Sequence, residues 1–78
     1  MTIKEQVVSI LKEIKPAKEL ETINDIIEGG YLDSFELMAL IASLSEGFNV
    51  DITVDEIMPE NFNSVDAMVN MIEMLKNK

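Results

Sequence analysis

The chain has 78 residues, 47% of them hydrophobic, with 15 acidic against 6 basic side chains and a net charge of −9. That length holds one small domain, residues 1–78, with a thin core, and the absence of Cys and His excludes disulfide staples, thiolate nucleophiles, His-dependent triads and the commonest metal sites. The charge repels nucleic-acid phosphates and anionic membranes and attracts a partner with a basic surface.

The first stretch, "MTIKEQVVSI", lacks the basic flank and long apolar run of a signal peptide. No window approaches a membrane span, so the expectation is a cytoplasmic protein with no membrane insertion. Ile3, Val7, Ile10, Leu11 and Ile14 lie on one helical face, which predicts a first helix over residues 2–15. Pro16 ends it, since proline cannot donate the intrahelical bond and disfavours a helical residue before it.

Residues 16–33 form a long connection. Its Leu20, Ile23, Ile26 and Ile27 are spaced too regularly to be wholly solvated, so the loop is expected to be pinned to the core. Thr22 to Asp25 suits a short capped turn, and Gly29-Gly30 gives the backbone freedom to turn, with room for something large to approach.

The next helix, predicted over residues 34–46, is the most apolar. Phe35, Leu37, Met38, Leu40, Ile41 and Leu44 make a face wider than one seam, which implies a central helix touching several neighbours. Gly47 is the expected stop. The alternation at Phe48, Val50 and Ile52 reads as an extended linker. Thr53 to Glu56 matches a capping box for a short helix of a turn or two before Pro59. The last helix, over residues 64–76, is predicted from Val65, Met68, Val69, Ile72 and Leu75. Asn63 or Ser64 caps it, and Lys76 and Lys78 sit at its favourable end for positive charge. Met68, Met71 and Met74 are expected to fill the bundle. The fold class is all-α: a small four-helix bundle of three main helices and one short one.

The segment "YLDSFELM", Tyr31 to Met38, carries the functional question. Asp33 and Glu36 are spaced for reciprocal capping of the helix that follows. Ser34 is then either the first helical residue, hydroxyl outward, or itself the cap. Taken as structure alone, the segment is a turn, a cap and a helix start. Its hydroxyl nevertheless sits at the positive end of a helix, where a phosphate is electrostatically favoured. With no His and no nearby Lys in sequence, Ser34 is a poor catalytic serine and makes better sense as a residue acted upon. Asp51, Asp55 and Glu60 lack the glycine turn of a calcium loop, so no metal site is expected.

"LDSFELM", Leu32 to Met38, resembles the Asp-Ser-Leu segment of the acyl carrier and peptidyl carrier proteins. Phe48 lies where that family has a helix-ending aromatic. "FNVDITVDEI" (48–57) and "NFNSVDAMVNMI" (61–72) are similar to its approaches to the third and fourth helices. Two departures stand out. Phe35 replaces the usual leucine, with its apolar anchoring role expected to survive, and Ala39 and Ser45 stand at positions often occupied by glutamate in fatty-acid carriers.

The resemblance implies a phosphopantetheine-dependent carrier, not an enzyme. Covalent 4'-phosphopantetheine would be attached at Ser34, with Asp33 beside it orienting the transferase. The second helix would dock partners through Phe35, Glu36, Met38, Ala39, Ile41 and Glu46. Those partners would be a phosphopantetheinyl transferase, an acyl- or aminoacyl-loading ligase and acyl-processing enzymes with basic surfaces, and the carrier would be a monomer. The cargo stays open among fatty acid, polyketide, amino acid and D-alanine, although the thinned glutamates point away from fatty-acid biosynthesis. The competing class is an unmodified acidic helical interaction module in which Ser34 is only a helix cap.

Overall fold

The computed structural model describes residues 2–16 and 19–77. Among them are four α-helices, α1 (Ile3–Ile14), α2 (Ser34–Phe48), α3 (Pro59–Phe62) and α4 (Val65–Lys76), and two single 3₁₀ turns, Leu20–Thr22 and Val54–Glu56. This is the expected all-α bundle. Ala17, Lys18 and Lys78, which fall within the long connection and at the basic C-terminal end expected from sequence, lie outside the described residues.

Helix α1 starts where its donors find partners. The Glu5 amide donates to Thr2 Oγ1 at 3.1 Å, and the Thr2 amide donates to Glu5 Oε1 at 2.9 Å, a reciprocal cap not anticipated from sequence. It ends at Lys15, before Pro16, as expected. Val7 and Leu11 are buried, and Ile3, Val8, Ile10 and Ile14 pack around them. Backbone contact joins α1 to α2, to α4 and to the first 3₁₀ turn, so α1 holds the centre of the bundle. The expectation that α2 is central is corrected. The extra width of its apolar face is surface, not core, because Phe35 and Met38 are exposed.

The connection is pinned as its spacing predicts: Leu20 and Ile26 are fully buried, and Ile23 and Ile27 pack against the core. It closes in a turn over residues 26–30, where the Gly29 amide donates to the Asp25 carbonyl and the Tyr31 amide to the Ile26 carbonyl. Gly30 adopts a φ of +76°, a region L-residues avoid. A Cβ on Gly29 would lie 2.7 Å from the Asp25 carbonyl oxygen. The turn itself therefore needs the glycine at 29, and the idea that it makes room for an approaching partner is set aside there.

Helix α2 runs through Gly47 to Phe48 and stops at Asn49 (φ 54°, ψ 49°). This corrects the expected stop. A Cβ on Gly47 would sit 3.5 Å from Ile10 Cδ1, so the glycine marks where α2 passes α1, while Asn tolerates the left-handed cap. The two extra residues carry Phe48 into the core. Residues 50–53 form neither helix nor strand, so the expected linker is there.

The Thr53–Glu56 capping box is present, yet it starts only one 3₁₀ turn. The short helix begins at Pro59 and does not end before it. Proline suits that position because its missing N–H has no intrahelical partner to lose. Helix α4 is capped by Ser64, whose hydroxyl accepts the Ala67 amide at 3.0 Å, and has Lys76 in its last turn. Met68 and Met71 fill the bundle as expected. Met74 does not. It is 64% exposed. Among the described residues no polar side chain is buried.

Candidate functional site

Leu32 anchors the approach to α2. It is buried at the end of the glycine turn, so the next residue begins the helix at a defined point. Asp33 is the cap and Ser34 the first helical residue, which decides between the two readings of Ser34 left open by sequence. The Glu36 amide donates to Asp33 Oδ1 at 2.8 Å, and the Asp33 amide donates to Glu36 Oε1 at 3.0 Å. Ser34 is exposed, and among the described residues its hydroxyl has no hydrogen-bond partner.

Glu36 does more than cap. The Lys15 ammonium donates to both its carboxylate oxygens at 2.9 Å. The Asp33 amide first, and Lys15 second, hold the Glu36 carboxyl below the usual glutamate range. Glu36 is therefore an internal tie at the start of α2. The long Lys15 side chain, reaching from the end of α1, pairs with the carboxylate expected to contact partners.

The remaining expected docking residues divide. Phe35 is 88% exposed and Met38 65% exposed, and Ala39 and Glu46 are also exposed. Phe35 anchors nothing within the bundle. Ile41 is half-buried and packs against the core, where Leu40 and Leu44 are fully buried. Leu37 is half-buried and lines an open apolar cleft shared with Ile27, Ile57, Met58, Pro59 and Phe62.

Sequence reasoning missed the far side of that cleft. Ile57 and Met58, both exposed apolar side chains, line the cleft with Leu37, one turn along α2 from Ser34, and exposed Val54 precedes them in the chain, so the surface has a second apolar half. A signal was available: a capping box followed by Ile57-Met58-Pro59 is too short to bury what it carries. Lys15 and Asn63 were also missed as contributors, because their partners lie far along the chain.

Charge is segregated around the site. No basic residue occurs between positions 19 and 75. Among the described residues Lys4, Lys12 and Lys15 pair with Asp66, Glu21 and Glu36, so the stretch from 19 to 75 carries its acidic side chains with no basic residue of its own. The arrangement can accept a phosphate ester. Ser34 is exposed at the start of a 15-residue helix, where unpaired first-turn amides and the helix dipole favour an added anion. No group of three or more acidic side chains able to hold a metal ion occurs among the described residues, and no helix there is long and apolar enough to cross a membrane.

The comparisons agree with this geometry. Residues 2–72 match the family model described as a phosphopantetheine attachment site. The D-alanyl carrier protein of Leuconostoc mesenteroides subsp. mesenteroides is 32% identical, over 96% of this chain and 97% of its own. Those of Streptococcus suis (96% and 98% covered) and Lactobacillus acidophilus (both chains fully covered) are each 27% identical.

Proposed function

This chain belongs to the phosphopantetheine attachment-site family, and on that premise we propose that Ser34 is the residue that bears the arm. The protein is a carrier. It holds an acyl or aminoacyl group as a thioester on covalent 4'-phosphopantetheine, works with enzymes that modify, load and process it, and is not itself an enzyme. The arm's thiol supplies the attachment chemistry that a chain without cysteine lacks.

The observation that supports Ser34 is its placement: an exposed, unpartnered hydroxyl at the first position of α2, beside a cap whose own bonds are satisfied. In the transfer, Ser34 Oγ forms the new O–P bond and gives up its proton to the transferase, while the adenosine bisphosphate half of coenzyme A leaves with the broken P–O bond. The first-turn amides of α2 favour the resulting anion. One Asp33 oxygen is held by the Glu36 amide, and the other faces the transferase's basic or metal-bearing groups.

Phe35, Glu36, Met38, Ala39 and Glu46 form the α2 part of the docking surface, with Ile41 at its edge and the net negative charge of the chain attracting basic partners. The carrier acts as a monomer in the cytoplasm, where coenzyme A supplies the arm. The cargo is aminoacyl, of the D-alanyl type. Relatives of that name aligned over nearly the whole chain, and the absence of glutamate at positions 39 and 45, support this over a fatty acid.

The test is intact mass after incubation with coenzyme A and a broad-specificity transferase. Wild type gains one phosphopantetheine and Ser34→Ala gains none; the same gain in Ser34→Ala defeats the assignment. With the arm in place, an adenylating ligase and D-alanine add one alanyl mass. Loading by a fatty-acyl ligase in preference to D-alanine defeats the cargo reading.

A further inference from the structure

The two apolar halves of the surface beside Ser34 ride on different parts of the bundle. Phe35 and Met38 belong to α2, whose main backbone contact is with α1; Val54, Ile57 and Met58 lead into α3, whose main backbone contact is with α4. Between them lies the open cleft. Apolar contact across a cleft is non-directional and sets no register.

Directional bonds do set one, and they converge on Asn63. This residue stands between α3 and α4, and its side chain is not needed as a cap because Ser64 caps α4. Asn63 Oδ1 accepts the successive amides of Ile27 at 3.0 Å and Glu28 at 3.1 Å. Its Nδ2 donates to Glu28 Oε1 at 2.7 Å, and its carbonyl accepts the Ile26 amide at 2.9 Å. Ile27 and Phe62, the latter next to Asn63 in the chain, both line the cleft. The clamped turn runs on through Gly30 and Leu32 to the cap of α2.

We propose that Asn63 is a positioning residue for partner docking: by clamping the turn at residues 26–28 it fixes the Val54–Met58 half of the surface in register with the α2 half. This rests on the reading of Ser34 as the attachment point. The cap at Asp33, Glu36 and Lys15 is a separate set of bonds, so breaking the clamp displaces the docking surface and leaves the presentation of Ser34 intact.

The experiment measures kcat and KM for the unmodified carrier with a broad-specificity transferase and coenzyme A. Amide hydrogen exchange at Ile27 and Glu28 is followed in parallel. In Asn63→Ala, KM rises about five-fold or more with kcat within about two-fold of wild type, and both amides exchange faster. Asn63→Asp alone behaves similarly, because it loses the donor and faces Glu28 with like charge. Asn63→Asp combined with Glu28→Gln restores a donor–acceptor pair of reversed polarity at unchanged net charge, and recovers most of the KM and the protection. A wild-type KM in Asn63→Ala despite faster exchange overturns the inference, as does a double variant that regains protection but not KM. Should Asn63→Ala fail to fold, the Asn63→Asp single and double variants decide by the same criteria. Modification of Ser34→Ala is a different outcome: it removes the reading beneath the inference, whatever Asn63 does.

Discussion

The Lys15 ammonium lies 2.9 Å from both carboxylate oxygens of Glu36, 21 residues further along the chain. One of those oxygens also accepts the Asp33 amide. A single carboxylate thus ties the end of α1 to the first turn of α2, next to Ser34.

Because Glu36 is tied inward, reversing its charge disturbs more than docking. Glu36→Lys is expected to lower the thermal midpoint, since it breaks the cap and sets two lysines against each other. Lys15→Met is expected to lower it less, because the cap survives. Glu46→Lys, on the exposed side of α2, should leave the midpoint near wild type and slow modification. Equal midpoints for Glu36→Lys and Glu46→Lys in a melting experiment would contradict the tie.

The same bonds predict a pH dependence. Glu36 is held below the usual glutamate range by the Asp33 amide and Lys15, and Glu5 by Thr2. With the folded-state value lowered, the unfolded chain binds more protons as pH falls. The stability these groups add is therefore complete above the ordinary value of about 4.3 and is lost as pH falls through the lowered one. Urea midpoints should decline from roughly pH 5 to roughly pH 3, and less steeply in Glu36→Gln combined with Glu5→Gln. An unchanged slope in that variant counts against the assignment.

Core and surface positions on α2 should separate cleanly. Leu44→Ala, at a fully buried site, is expected to cost about 2–5 kcal/mol in urea unfolding. Phe35→Ala, on a side chain 88% exposed, should change stability by no more than about 0.5 kcal/mol while slowing transferase modification. A large stability loss with unchanged modification would place Phe35 in the fold and not at the docking surface.

The glycine turn offers a fourth measurement. Gly30→Ala forces a side chain into a φ of +76°, at an expected cost of about 1–2 kcal/mol. Gly29→Ala puts a Cβ 2.7 Å from the Asp25 carbonyl oxygen and should be worse. Chemical denaturation that ranks them in the other order would show that the turn relaxes.

Some of this molecule is local and was readable along the chain. The helical spacing in α1 and α4, the stop before Pro16, the Ser64 cap and the Asp33–Glu36 box depend on residues three or four apart. The chain left Ser34 open as first helical residue or cap; the observed cap at Asp33 puts residue 34 first in the helix. Where competing local signals met, the reading failed. Gly47 gave way to Asn49, whose left-handed backbone ends the helix, and Pro59 opened a helix instead of closing one.

The sequence alone therefore determined the helix order, the acidity and the serine on offer, since each follows from near neighbours or from simple sums of charge. Tertiary structure decided which part of α2's wide apolar face stays wet, that Glu36 belongs to Lys15, and that Asn63 holds the turn before Ser34. Those outcomes rest on partners 21 to 37 residues apart, and such partners are chosen by how the helices pack, which no local periodicity records.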